Sequence, residues 1–91
     1  MEIKLTNCDN LVKVSQKDYD KLSIYKWHKN TDGYACGTIN KQKILMHRFI
    51  INPTKNELVD HINGNKLDNT QENLRISTYQ KNGENKKEML I

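Results

Sequence analysis

Asp60, His61 and Asn82 are the residues whose types and spacing could do chemistry in this sequence. Asp60 and Asn82 each offer an oxygen, the ligand type that a hard divalent cation prefers. His61 offers a nitrogen base whose ordinary pKa of ~6.5 leaves it mostly neutral at physiological pH. A metal-binding carboxylate beside a neutral imidazole is a minimal kit for activating water against a phosphodiester. An Asp-His dipeptide is too common to carry that reading alone, so the elements that position it must be considered. Neighbours on a regular strand point to opposite faces, and Asp60 and His61 can serve one site only where the strand twists or ends.

Leu58 to Ile62 reads as a strand, Asn63 to Asn69 as a loop crowded with turn formers, and Leu74 to Ser77 as a returning strand. Thr78 is placed to cap a helix that would pack across the two strands, giving a ββα unit. Upstream, Glu2 to Leu5 and Leu11 to Val14 are short strand candidates around Asn7, Asp9 and Asn10. Ser15 is a candidate N-cap with an acidic first turn, and Tyr19 and Leu22 give a short helix its buried face. Three more strands are expected at Ile24 to His28, Tyr34 to Ile39 and Ile44 to Ile51, joined by Asp32-Gly33 and by Asn40-Lys41-Gln42. On the last strand, alternation puts Leu45, His47, Phe49 and Ile51 on one face and Ile44, Met46, Arg48 and Ile50 on the other. His47 and His28 then read as hydrogen-bonded core residues rather than ligands. The fold class is α+β: a small N-terminal antiparallel sheet segment with a short helix over residues 1–55, and a ββα module over 56–91, in one compact unit with Pro53 as the joint.

The run from Val59 to Thr78, VDHINGNKLDNTQENLRIST, resembles the HNH endonuclease motif. The likeness is to the form found in phage and bacterial homing endonucleases of the ββα-metal class. In that form an Asp-His pair on the first strand is followed by a structural Asn and then by an Asn on the helix. Here these are Asp60, His61, Asn73 and Asn82, with successive intervals of 12 and 9 residues from His61. The segments DYDKLSIYKWH, DGYA and MHRFI look like the small sheet that precedes the motif, so the resemblance covers nearly the whole chain.

The resemblance implies hydrolysis of DNA phosphodiesters with one divalent cation, Mg²⁺ or Mn²⁺, leaving a 5′ phosphate and a 3′ hydroxyl. His61 would be the general base, Asp60 and Asn82 the metal ligands, and Asn73 the residue that ties the loop and helps orient His61. Nine residues follow Asn82, so recognition of a long target is not expected from this chain.

Each assignment has a competing one. Twelve asparagines make chance spacings common, and Asn85, near one helical turn beyond Asn82, is an alternative ligand. Lys predominates over Arg, 13 to 2, so Arg48 and Arg75 are candidates for a bidentate task that Lys cannot perform. Arg75 could bind phosphate or brace the hairpin against Glu72 or Asp68, and Arg48 could do the same for the sheet. Lys81, Lys86 and Lys87 form either a solvated helix face or a phosphate-binding one.

Composition narrows the classes. Ninety-one residues with 35% hydrophobic content suffice for one domain of modest stability, burying ~60–65% of the unfolded chain's surface. Cys8 and Cys36 make neither a disulfide framework nor a CxxC zinc pair. The longest apolar stretches are three residues, which excludes a membrane helix, and the N-terminus lacks the apolar core of a signal peptide. The expected setting is the cytoplasm of a bacterial or phage-infected cell. The net charge of +4 resides in residues 1–50 and suits a polyanion. The expected partner is DNA, bound mostly through its phosphates by a monomer that nicks one strand. The competing readings are a catalytically weak DNA-binding or protein-interaction remnant, and a zinc module built from Cys36 and histidines. A plasmid assay with and without Mg²⁺ separates the first from a nuclease; the second lacks paired-ligand spacing.

Overall fold

The computed structural model describes residues 1–78. Within them, β1 (Glu2–Lys4) pairs antiparallel with β2 (Leu11–Val14). Alternation along β2 buries Val12 and Val14 and exposes Leu11 and Lys13, the period-two pattern of a half-buried strand. Helix α1 (Gln16–Ser23) starts at Ser15 as expected, with Asp18 in its first turn and Leu22 buried. Ser15, however, makes no side-chain cap on its own helix. Its Oγ instead accepts the Gln71 N–H at 2.8 Å, and the buried Asp18 carboxylate accepts from Gln71 Nε2 at 3.0 and 2.9 Å. The start of α1 is thereby tied to the C-terminal half.

The strand expected over Ile24 to His28 is not formed before His28. Ile24 closes α1 and is 73% exposed, the Tyr25 N–H bonds the Leu22 carbonyl, and β3 is limited to His28–Lys29. Trp27 explains the difference, because its buried indole Nε1 donates to the Leu22 carbonyl at 2.8 Å and draws the chain back onto the helix end. Local strand preference yields here to the burial of a large ring with its polar tip satisfied. β4 (Ala35–Ile39) follows a turn in which Asn30 Oδ1 accepts the N–H groups of Asp32 and Tyr34 and Gly33 takes φ +90°. β5 (Gln42–Leu45) follows a two-residue turn with positive φ at both Asn40 and Lys41, so β3, β4 and β5 form an antiparallel sheet.

The strand expected over Ile44 to Ile51 stops at Leu45, and α2 occupies Met46–Ile51. The two-face assignment is therefore wrong from Met46 onward. Met46, His47 and Ile50 go inward together, at i, i+1 and i+4, which is one side of a helix and impossible for one side of a strand. Asn52 ends the helix in the left-handed conformation at φ 54°, with its N–H on the Arg48 carbonyl at 2.7 Å, and Pro53 follows. Short apolar runs are ambiguous between strand and helix, and Asn52-Pro53 ends the run here without by itself distinguishing the two.

The C-terminal half forms the expected hairpin, with β6 (Glu57–His61) antiparallel to β8 (Leu74–Thr78). Between them, β7 (Asp68–Asn69) pairs parallel with β2, setting Asn69 beside Val14, and Gln71–Asn73 makes a single 3₁₀ turn. Val12, Val14, Leu22, Trp27, Met46, Ile50 and Leu74 belong to one core cluster, so residues on both sides of Pro53 share it. The molecule is mixed α+β with small antiparallel sheets. Among the described residues no helix is long and apolar enough to cross a membrane. The helix expected after Thr78 lies outside the described residues.

Candidate active site

His61 stands at the last position of β6, where the strand gives way to the loop. Its Nε2 lies 2.7 Å from Asn69 Oδ1. Its ring stacks on Tyr34, with centroids 5.8 Å apart and planes at 30°, and meets the His47 ring at 4.8 Å. Tyr34 and His47 also pack on each other at 5.2 Å, so three rings from a turn, a helix and a strand end form one cluster. His61 remains half-buried, while His47 is only 5% exposed. Burial, followed by the neighbouring charges of His61 and Arg48, pushes the His47 pKa down from 6.5 to about 4. His47 is therefore neutral at physiological pH.

Asp60, next along the strand, faces different partners. Its carboxylate is more than half exposed and takes the Arg75 guanidinium at 3.2 Å across the hairpin, where the two residues are in register. The expected partners of Arg75, Glu72 or Asp68, are replaced by Asp60 because cross-strand register brings opposed side chains together. Arg48, now on α2, reaches the Glu57 carbonyl with Nη1 at 3.5 Å, at the start of β6.

The loop between the strands is held by its own amides. Asn73 Oδ1 accepts the Asn63 N–H at 3.0 Å, and its Nδ2 donates to Asn63 Oδ1 and to the Asp68 carbonyl at 3.0 and 2.9 Å. Asn63 Oδ1 also accepts the Asn65 N–H, Asn65 Oδ1 accepts the Leu67 N–H, and Gly64 supplies φ +77°. Burial alone would raise the Asp68 carboxyl, the largest single effect on it. Hydrogen bonds from the Thr70 side chain and backbone and from Asn63, with the charge of Lys13, outweigh burial and hold the group below its usual range. Lys66 spans from this loop to the β3–β4 turn, donating to the Asp32 carbonyl at 2.7 Å with Nζ 4.8 Å from the Tyr34 ring centroid.

Asn73 thus ties the loop, but the side chain on His61 is Asn69. Asn69, His47 and Tyr34 are the neighbours that sequence reasoning missed. Asn69 lay within the Val59–Thr78 run yet was one asparagine among twelve, and the inward side of His47 follows only from the helical reading of residues 46–51. Asn82, its competitor Asn85, and Lys81, Lys86 and Lys87 lie outside the described residues.

The expectation of a hydrogen-bonded core residue holds for His28 only in its contact, Nε2 lying 3.1 Å from Cys36 Sγ, since the residue is half-buried. That for His47 holds only in its burial, because Nδ1 has no partner among the described residues. No group of three or more His, Cys, Asp or Glu side chains capable of holding a metal occurs among the described residues. A pocket of about 280 Å³ is lined by His28, Cys36 and Lys43 and by none of Asp60, His61 or Asn73. Asp60 is exposed and His61 half-buried, both outside that pocket.

The HNH endonuclease family model matches residues 52–84. The chain is also similar to two proteins of Acanthamoeba polyphaga mimivirus, the uncharacterized HNH endonucleases L560 and L245. Identity is 38% over 79 and over 82 residues, in each case covering 80% of this chain. The chain spans 42% and 24% of their respective lengths, less than half of either relative. No solved structure matches.

Proposed function

Because the chain belongs to the HNH endonuclease family through its C-terminal half, we propose that it is a metal-dependent DNA endonuclease that nicks one strand. The observation that carries this reading is the placement of His61 at the last position of β6, with Asn69 Oδ1 on one ring nitrogen, next in the chain to Asp60, whose carboxylate is more than half exposed.

The donor chemistry fits a hard divalent cation. Mg²⁺ binds through one or two carboxylates and keeps several waters, so an exposed Asp60 with a neutral amide oxygen such as that of Asn82 meets its requirement. When bound, the cation supplies positive charge to the scissile phosphate and the leaving oxygen. His61 accepts a proton from a water molecule as the water oxygen attacks phosphorus in line. The bond to the 3′ oxygen breaks, solvent protonates that oxygen, and the products carry a 5′ phosphate and a 3′ hydroxyl. Arg75, Arg48 and the lysines at 81, 86 and 87 contact phosphates, so binding is tolerant of sequence and weakened by salt. One Asp60-His61 pair per chain supplies one cutting site, which is why a monomer nicks.

Incubation with supercoiled plasmid and Mg²⁺ tests the reading. Open circle accumulates first, linear product follows slowly, and His61→Ala abolishes both while leaving DNA binding nearly intact. Cleavage by His61→Ala at the wild-type rate would remove His61 from the reaction, and linear product forming together with open circle would point to a catalytic dimer.

A further inference from the structure

The most deeply buried asparagine among the described residues has no assigned role. Asn69 is fully buried at 0% exposure on β7, held by parallel pairing to β2, and its Oδ1 is 2.7 Å from His61 Nε2. We propose that Asn69 is the positioning residue of His61: its carboxamide oxygen takes the Nε2 proton, so that the ring presents a bare Nδ1 to the attacking water. The inference rests on His61 being the base and adds which nitrogen acts and what selects it.

A neutral imidazole carries one ring proton, and the partner on one nitrogen decides which nitrogen keeps a lone pair. An amide oxygen can only accept, so an Oδ1 at 2.7 Å requires the proton on Nε2; that distance is at the short end of the N–H···O range. The rings restrain the remaining freedom. Tyr34 stacks on His61 at 30°, and His47 meets it at 59° from the buried end of α2, so rotation of the His61 ring must displace one of them. Two buried side-chain atoms lack a partner among the described residues, Asn69 Nδ2 and His47 Nδ1. Both belong to side chains meeting at His61. The His61 contact thus engages the Asn69 oxygen and leaves its amide nitrogen, whose burial without a partner has a cost of roughly 1–3 kcal/mol.

The test reads the tautomer directly. Long-range ¹H–¹⁵N NMR of the full chain, at a pH where the spectrum itself shows a neutral ring, should show His61 with a protonated Nε2 and an unprotonated Nδ1. Asn69→Asp keeps the acceptor and should keep that pattern. Asn69→Leu removes it and should give a mixture of tautomers, with kcat for plasmid nicking down about 100-fold and KM unchanged. A wild-type His61 protonated on Nδ1 would overturn the proposal, as would an Asn69→Leu protein with unaltered tautomer and kcat. Since the wild-type spectrum needs no cleavage, failure of the nuclease reading, seen as an active His61→Ala protein, is distinguishable from failure of this one.

Discussion

Arg75 Nη2 and Asp60 Oδ2 lie 3.2 Å apart across the β6–β8 hairpin, so the carboxylate assigned to the cation already carries a cation of its own. Both side chains are more than half exposed, and pairs of that kind contribute ~0–1 kcal/mol. Arg75→Ala should therefore leave stability within about 1 kcal/mol of wild type while strengthening Mn²⁺ binding, because the competing charge is gone. Urea unfolding and calorimetry measure the two effects, and weaker Mn²⁺ binding in the variant would contradict the competition. Asp60→Ala, in the same titration, should lose the metal.

The proposed ligand set also predicts which metals work. Asp60 and Asn82 offer only oxygen, so Mg²⁺ and Mn²⁺ should support nicking and Zn²⁺ should not. Cleavage of supercoiled plasmid in each metal is the measurement. Strong activity in Zn²⁺ with none in Mg²⁺ would show that the ligands are different ones.

Acid should destabilise the protein in a window set by His47. The unfolded chain takes up a proton at His47 below pH 6.5, whereas the folded chain refuses it until about pH 4. The unfolded state thus binds more protons in this interval, and stability falls as pH drops through it, by up to roughly 3 kcal/mol. His47→Phe, which keeps an aromatic ring, should flatten the dependence between those values, as followed by urea unfolding across pH. An equally steep dependence in the variant would place the titrating group elsewhere. Asp68, whose carboxyl is held below its usual range, adds a separate loss at lower pH, as its folded-state pKa is passed.

Asn73→Ala should be among the more damaging substitutions in the loop. It removes three hydrogen bonds at a buried position and leaves the Asn63 N–H and the Asp68 carbonyl without that partner. A loss of roughly 2–4 kcal/mol is expected, measured as a lower urea midpoint with an unchanged slope. A change below about 0.5 kcal/mol, the usual range for an ordinary surface substitution, would contradict the role given to Asn73 in holding the loop.

The strands of the β6–β8 hairpin, the turns at Gly33 and at Asn40-Lys41, and the start of α1 at Ser15 were legible because each depends on residues close together in the chain. Alternation, turn formers and an acidic first turn act locally, and the Val59–Thr78 run named its family by the same short-range pattern. Two things were decided only by the tertiary structure. Residues 46–51 are helical because the core accepts Met46, His47 and Ile50 from one side, a choice that apolar content alone leaves open. The surroundings of His61 come from the β3–β4 turn, from α2 and from β7. Register on β2 places Asn69, and the helical turn of α2 places His47. No local spacing could report these neighbours, because they meet His61 only when separate elements pack around a shared core.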